Sequence, residues 1–129
     1  MLKLSHKNLD VYKITLSLVK EVYQLTKSYP KEEQFVLVTQ LRRAAISVCS
    51  NLAEGAARRS VKEKIRFYEI SRSSLVEVDT QFEISLILEY IKNEHTKELE
   101  KYIESIFKML SKVISNLEIK THWPIPTYY

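Results

Sequence analysis

Apolar residues recur every three or four positions along most of the chain, which is the period of a helix with one buried face. The pattern predicts four helices, at about residues 8–28, 30–55, 60–90 and 97–118. The side chains predicted to face the core are, helix by helix, Leu9, Tyr12, Leu16, Val19, Tyr23 and Thr26; Val38, Leu41, Ala45, Val48 and Leu52; Val61, Ile65, Tyr68, Leu75, Val78, Phe82 and Leu86; and Leu99, Ile103, Ile106 or Phe107, Leu110, Val113 or Ile114 and Leu117. Long helices joined by short connections pack as antiparallel neighbours, so we expect an all-α, up-down-up-down four-helix bundle.

Residues with cap preferences set the predicted helix ends. Either Asn8 or Asp10 is expected to cap the first helix with its side chain. The second helix is predicted to begin at Pro30 and to end near Gly55, where a left-handed residue closes it. The stretch SVKE from Ser60 has the spacing of a capping box and starts the third helix.

Composition favours the same fold. The 129 residues include one glycine and three prolines, too few turn-forming residues for a sheet protein, and their number suits a single core. We therefore expect the bundle to span residues 1–118, followed by an extended or disordered tail over residues 119–129. Trp123, Tyr128 and Tyr129 in this tail are candidates for docking on a neighbouring subunit or stacking on a nucleobase, with plain disorder as the alternative.

Candidate chemistry is sparse. Cys49 is the single cysteine and cannot form an intramolecular disulfide, and the sequence has neither a signal-peptide pattern nor an apolar run long enough to span a bilayer. The histidines His6, His95 and His122 lack the Glu-x-x-His spacing of a di-iron bundle, and one glycine cannot build a phosphate-binding loop. We expect a cytoplasmic protein that is not an enzyme, with no catalytic residue, metal, other cofactor or membrane partner.

Positive charge is concentrated in the middle of the chain. The formal net charge is +4, and residues 40–72 alone carry eight basic and three acidic side chains. A basic cluster at the corner between the second and third helices can neutralise the phosphates of a nucleic acid. The residues predicted to bind nucleic acid are Arg58, Arg59, Lys62, Lys64 and Arg66.

An alternative interpretation of the charged residues is structural. In it they form a polar seam that fixes how the second and third helices meet, and Glu54 pairs with Arg58 or with Lys64. The residues assigned to this seam are Arg42, Arg43, Asn51, Glu54 and Glu77.

If the second and third helices pack as an antiparallel hairpin, the residues that face each other across the seam can be predicted. If the chain turns near residue 59, Arg42 and Arg43 lie opposite residues 75–77. We therefore predict an ion pair between Glu77 and one of these two arginines.

Four motifs in order resemble a known family. LDVYK, TQLRRAA, SNLAEG and SSLVE are similar to successive signatures of the four-helix-bundle proteins encoded in intervening sequences of bacterial 23S ribosomal RNA genes, and the resemblance covers about residues 9–117. It implies a left-handed bundle that assembles into a ring, commonly a pentamer, in the cytoplasm, with RNA binding and no catalytic residues. A more distant similarity to the accessory variability protein of diversity-generating retroelements implies a reverse transcriptase as a partner.

Two functions follow as hypotheses. The first is a homo-oligomer that binds structured RNA or single-stranded nucleic acid through its basic residues. The second is a scaffold that docks a partner protein. Oligomerisation itself is expected because several apolar residues of the third helix and its C-terminal connection lie off the core stripe. These residues are Phe67, Ile70, Ile84, Ile87 and Ile91.

Overall fold

The computed structural model describes residues 1–122. They form four helices, α1 (Asp10–Thr26), α2 (Leu37–Ala57), α3 (Val61–Ile87) and α4 (Lys97–His122). Three 3-10 turns lie ahead of α1, α2 and α4, at Ser5–Asn8, Lys31–Glu33 and Asn93–His95. The helices contact one another in a closed cycle, α1 with α2, α2 with α3, α3 with α4 and α4 with α1. No strand occurs among the described residues, and the predicted all-α four-helix bundle is confirmed.

The core lies along the axis of the bundle and receives one stripe from each helix. The largest fully buried side chains are Leu18, Leu41, Leu52, Leu75, Leu99, Ile106 and Leu110. The whole predicted stripe of α2 is buried. In α4 the core residues are Ile106 and Ile114, whereas Phe107 faces outward. Strongly apolar side chains at helical spacing therefore predicted these two faces correctly.

The predicted stripe of α1 is correct in part, because Thr26 is buried and Tyr12 and Val19 pack against the core. Leu9 and Leu16 are exposed, and the buried residues are Val11, Thr15, Leu18, Val22 and Thr26. Two threonines can enter the core because each hydroxyl donates within its own helix, Thr15 to the Tyr12 carbonyl at 2.6 Å and Thr26 to the Val22 carbonyl at 2.7 Å. Leu9 occupies the N-cap position, without a side-chain capping bond, so neither predicted cap residue fills this role.

The second helix begins seven residues later than the expected start at Pro30, at Leu37. The intervening segment is held by a tertiary contact, because the Tyr90 hydroxyl donates to a Glu33 carboxylate oxygen at 2.7 Å. Tyr29 is buried beside it, with its ring centre 5.4 Å from that of Tyr90. Val36, at φ −120° and ψ −95°, separates the 3-10 turn from the helix.

The sequence predicted that Gly55 closes α2 in a left-handed conformation, and this prediction is wrong. No glycine among the described residues has a positive φ, and α2 continues to Ala57. Gly55 is instead buried against α3. The helix end is satisfied by Lys64, whose Nζ donates to the Ala56 carbonyl at 3.0 Å and to the Gly55 carbonyl at 3.4 Å.

The ends of α3 and α4 match the prediction in part. Ser60 caps α3, and its Oγ accepts a bond from the Glu63 backbone amide at 3.1 Å. The helix ends at Ile87, short of the predicted position near residue 90, and Glu89 follows in a left-handed conformation with φ 61°. Helix α4 includes residues 119–122, which were predicted to belong to the tail.

The aromatic residues of the tail, Trp123, Tyr128 and Tyr129, lie outside the described residues. Between residues 1 and 122, no helix combines the length and the apolar character that a membrane crossing demands.

Candidate nucleic-acid interface

Small polar side chains join α2 to α3. The hydroxyls of Ser47 and Ser74 are 2.7 Å apart, and the Ser71 hydroxyl donates to the Val48 carbonyl at 2.6 Å. Asn51 Nδ2 donates to the Ser47 carbonyl at 2.9 Å. A polar seam therefore exists between these helices, and of its predicted members Asn51 belongs to it.

The predicted ion pair between Glu77 and an α2 arginine is wrong. Arg42 Nε donates to Thr26 Oγ1 at 3.0 Å, and its guanidinium lies 4.4 Å from the centre of the Tyr23 ring. Since α2 packs between α1 and α3, a residue beside the core residue Leu41 can face either neighbour, and Arg42 faces α1. Among the described residues no basic nitrogen lies within 4.0 Å of the Glu77 carboxylate.

At the corner between α2 and α3, two arginines flank one phenylalanine. The guanidinium carbon of Arg58 is 4.6 Å from the centre of the Phe67 ring, and that of Arg66 is 5.5 Å from it. Arg58 also pairs with Glu54 at 3.1 Å, as predicted, and Arg66 with Glu63 at 3.8 Å. Both ion pairs are exposed, so each contributes little to stability and its cation can exchange partners.

The five basic residues predicted to bind nucleic acid divide into two groups. Lys64 is half-buried, and its ammonium group donates hydrogen bonds to backbone carbonyls at the C-terminus of α2. Arg59 and Lys62 are exposed and form no ion pair within residues 1–122. The residues that present charge to solvent, called here the basic corner, are Arg58, Arg59, Lys62 and Arg66.

An open, shallow surface patch lies beside the basic corner on the outer face of α3. Its lining residues follow helical spacing along one face of the helix. They are Lys62, Ile65, Arg66, Glu69 and Ile70. Ile65 is half-buried and packs against the core, as predicted, whereas Glu69 was not singled out. Its position seven residues after Lys62, on the same helical face, was the available signal.

The opposite end of the bundle is apolar at its surface. Phe35 is 93% exposed and Ile87 is 79% exposed, and Val36 and Leu88 beside them are exposed as well. Phe35, Val36 and Leu88 belong to the α1–α2 and α3–α4 connections and Ile87 ends α3, so an antiparallel bundle places all four at one end. Of the residues expected to promote oligomerisation, Ile91 is buried in the core, which corrects its assignment to an outer face.

Reactive groups in the structure are few. The His6 and Tyr12 rings meet edge to face at 4.8 Å, and burial together with the neighbouring Cys49 thiol raises the pKa of the Tyr12 hydroxyl. Within residues 1–122 no three histidine, cysteine, aspartate or glutamate side chains converge as a metal site would require.

The fold and the basic corner define a small antiparallel four-helix-bundle protein with its exposed cations gathered where two helices meet. The chain belongs to the 23S rRNA-intervening sequence protein family, whose model matches residues 7–112. A crystal structure of a protein of unknown function from the S23 ribosomal protein family of Bacteroides thetaiotaomicron is similar, with a TM-score of 0.74 and 23% identity, covering 81% of this chain and 97% of that one. This likeness shows a shared fold. No curated protein matches the chain.

Proposed function

We propose that the protein is a non-enzymatic, cytoplasmic homo-oligomer, a ring of five bundles, that binds RNA through its basic corner. The observation that carries this proposal is the convergence of four exposed cations where α2 meets α3, at Arg58, Arg59, Lys62 and Arg66. Cations that neutralise phosphates release condensed counterions, which drives binding. A ring repeats the corner, so individually weak contacts gain from high effective concentration.

The two ion pairs at the corner are compatible with phosphate binding. Glu54 and Glu63 form exposed ion pairs with Arg58 and Arg66, and a phosphate oxygen easily replaces an exposed carboxylate. Arginine pairs with phosphate through two parallel hydrogen bonds, a stronger interaction than either exposed ion pair. Both guanidinium groups are therefore available to an anionic ligand.

Apolar side chains on the outer face of α3 support the oligomer. Ile70 and Ile84 are 38% and 41% exposed, and Ile87 near the helix end is more exposed still. A monomer would leave this series in water, whereas a neighbouring bundle can cover part of it. Light scattering should give five times the 15.2 kDa mass of the chain at micromolar concentration, and a monomer mass would contradict the ring.

A filter-binding salt titration with a structured RNA hairpin tests RNA binding. We expect retention at about 50 mM salt and a steep loss towards about 200 mM. Neutralising Arg59 and Lys62 with glutamine should reduce the slope of log affinity against log salt by about two for each corner that the hairpin contacts, since each lost phosphate contact removes about one.

Two lysines of α4 provide the matched control. Lys97 and Lys101 are exposed at the other end of the bundle, and their conversion to glutamine removes the same charge. This variant should keep the wild-type slope. No retention of the wild-type protein at low salt, or equal slopes for both double variants, would contradict the proposal.

The second candidate function is a scaffold that docks a partner protein, such as a reverse transcriptase. The apolar end formed by Phe35, Val36, Ile87 and Leu88 favours it, because exposed aromatic and aliphatic clusters are typical of protein interfaces. With a purified reverse transcriptase and nuclease treatment, the complex should survive in the Arg59→Gln, Lys62→Gln variant and be lost in Phe35→Ser. Loss only in the first variant, or only after nuclease, favours RNA binding instead.

A further inference from the structure

We infer that neighbouring bundles join head to tail, with the outer surface of α1 and α2 of one copy seated on a groove between α3 and α4 of the next. This inference rests on the proposed oligomer and names the two surfaces that meet in it. Both surfaces carry exposed apolar side chains, and the unpaired charges around these side chains have opposite signs on the two surfaces.

The outer surface of α1 and α2, called here the α1–α2 face, has an apolar centre. Leu9, Leu16 and Ile46 are each between 43% and 48% exposed. Leu9 and Leu16 are seven residues apart, so they lie on the same side of α1. Sequence periodicity assigned both leucines to the core, whereas the folded bundle leaves them in water. A second copy can bury them without any change to the core.

Contacts between α1 and α2 bring Leu16 and Ile46 into one surface. Two side-chain contacts flank these residues along the helix pair. They are Tyr12 with Cys49 and Tyr23 with Arg42. Leu16 lies between the two tyrosines in sequence and Ile46 lies between their two partners, so both occupy the stretch that the contacts enclose. The α1–α2 face is therefore a single apolar surface made by two helices.

Cations surround this apolar centre. Lys13 and Lys20 are exposed on α1, seven residues apart like the two leucines, and Arg43 is exposed on α2, three residues before Ile46. None of the three cations forms an ion pair within residues 1–122. The α1–α2 face thus presents unpaired positive charge beside its leucines.

Two helices form the α3–α4 groove on the other side of the bundle. Leu75 is fully buried and Ile103 is half-buried, and together they make its floor. Val76 on α3 and Phe107 on α4 are 49% and 43% exposed and form its sides. An aliphatic side chain that enters this groove meets apolar surface on three sides, which removes apolar area from water.

Arg72 closes one end of the groove and joins its two helices. The Arg72 Nη1 atom donates to Ser111 Oγ at 3.1 Å, and the guanidinium carbon lies 5.9 Å from the centre of the Phe107 ring. These contacts fix the Phe107 side of the groove within a single copy. The groove is therefore already formed before a second copy arrives.

Carboxylates lie along the α3 side of the groove. Asp79 lines it, and Glu83 follows one helical turn later. Both are exposed, and neither forms an ion pair within residues 1–122. Glu104 also lines the groove, but its carboxylate pairs with Lys108 at 2.9 Å. The unpaired charge here is negative, opposite to that of the α1–α2 face.

These charges select a contact between unlike surfaces. Two α1–α2 faces in contact would place cations against cations, and two α3–α4 grooves would place carboxylates against carboxylates, so both contacts between like surfaces are repulsive. The cations and carboxylates cannot pair within one copy, because α1 and α3 lie diagonally in the bundle. Contact between unlike surfaces is head to tail, and it closes into a ring when each copy is rotated relative to the last.

Light scattering of two full-length variants, alone and mixed, tests the inference. Leu16→Glu alters only the α1–α2 face and Val76→Lys alters only the groove, so each variant should fall to the 15.2 kDa mass of one chain. A one-to-one mixture should form a dimer of twice this mass, because the first variant keeps an intact groove and the second keeps an intact α1–α2 face. Leu88→Glu and Val36→Lys, at the exposed apolar end, are the matched controls and should keep the wild-type mass.

Charge reversal tests the electrostatic part of the contact without altering its apolar side chains. The Lys13→Glu, Lys20→Glu variant and the Asp79→Lys, Glu83→Lys variant should each require at least about tenfold more protein to assemble, because like charges then face each other. The variant with all four substitutions should regain most of the wild-type assembly, since opposite charges meet again. Circular dichroism verifies that each variant keeps its helical content.

The possible results separate this inference from the proposed ring. Wild-type mass in Leu16→Glu or Val76→Lys, a mixture that stays monomeric, or no recovery in the fourfold reversal would overturn the head-to-tail contact, while a five-chain wild type would keep the ring. A monomeric wild type would overturn both. A wild-type mass that keeps rising with concentration, together with a dimer in the mixture, would support the contact and contradict a closed ring of five.

Discussion

Gly55 of α2 and Tyr68 of α3 approach so closely that a Cβ atom at position 55 would stand 2.7 Å from Tyr68 Cε1. The Phe67 Cβ atom would be 3.2 Å away on the same side. Tyr68 is buried, so its ring has little room to move. The glycine thus sets the distance between α2 and α3 directly below the basic corner, and with it the position of Phe67 and its two arginines.

Replacing Gly55 with alanine should lower the free energy of unfolding by up to about 2 kcal/mol. Alanine improves helix propensity by about 1 kcal/mol, but overpacking costs about 1–3 kcal/mol where the neighbours cannot yield. Thermal and denaturant unfolding measure the change. Ser50→Ala, an exposed position of the same helix, gains propensity without a clash and should be slightly stabilising.

A double-mutant cycle checks the cause. Tyr68→Leu removes the ring that the alanine would strike, so Gly55→Ala should cost less in this background than in wild type. Equal costs in the two backgrounds would show that the contact with Tyr68 does not explain the glycine.

Adjacent serines of α3 offer a second test of the α2–α3 contact. Ser74 is buried and shares a hydrogen bond with Ser47, whereas Ser73 is exposed. Ser74→Leu should destabilise the fold by about 1–3 kcal/mol, because the larger side chain forces the helices apart. Ser73→Leu should change stability by no more than about 0.5 kcal/mol. Similar effects of the two substitutions would contradict this packing arrangement.

Arg42 is expected to matter more for stability than its neighbour Arg43. Arg42 is half-buried, bonds Thr26 and lies over the Tyr23 ring, so Arg42→Ala should cost about 1 kcal/mol. Arg43→Ala and Glu77→Ala should each stay within about 0.5 kcal/mol. Equal effects of Arg42→Ala and Arg43→Ala would contradict the contacts of Arg42, and a coupling energy between Arg43 and Glu77 in a double-mutant cycle would restore the ion pair that the hairpin register predicted.

Alkaline pH should destabilise the bundle through its tyrosines. The hydrogen bond to Glu33 raises the pKa of the Tyr90 hydroxyl, and burial raises the pKa of Tyr29 and Tyr68. Each hydroxyl then loses its proton more easily in the unfolded chain, so its stabilising effect is complete below a pH of about 10 and disappears above it.

The Tyr90→Phe variant isolates one of these groups. The difference in unfolding free energy between wild type and this variant should be constant from about pH 6 to about pH 9 and should shrink above about pH 10. Denaturant titrations across this range measure it. If the difference in unfolding free energy grew as the pH rises, it would contradict the hydrogen bond that the Tyr90 hydroxyl donates to Glu33.

Sequence reasoning succeeded where the signal is local. The stripes of α2 and α4 consist of strongly apolar side chains at helical spacing, and Ser60 caps α3 through a bond only three residues long. It failed for part of α1, where Leu9 and Leu16 are exposed and Thr15 enters the core with its hydroxyl bonded inside its own helix. It also failed for the start of α2, which a contact between Glu33 and Tyr90 sets over a long separation in sequence.

The sequence by itself determined that this chain forms four amphipathic helices and that its positive charge gathers near the turn between two of them. Periodicity and composition depend only on residues that are close in the sequence, so they can be recognised without knowledge of the fold. Only the tertiary structure decided that Arg42 faces α1, that Lys64 caps α2 and that Ile91 is buried in the core. These outcomes depend on which helix packs against which face, and that choice is made by the whole core at once.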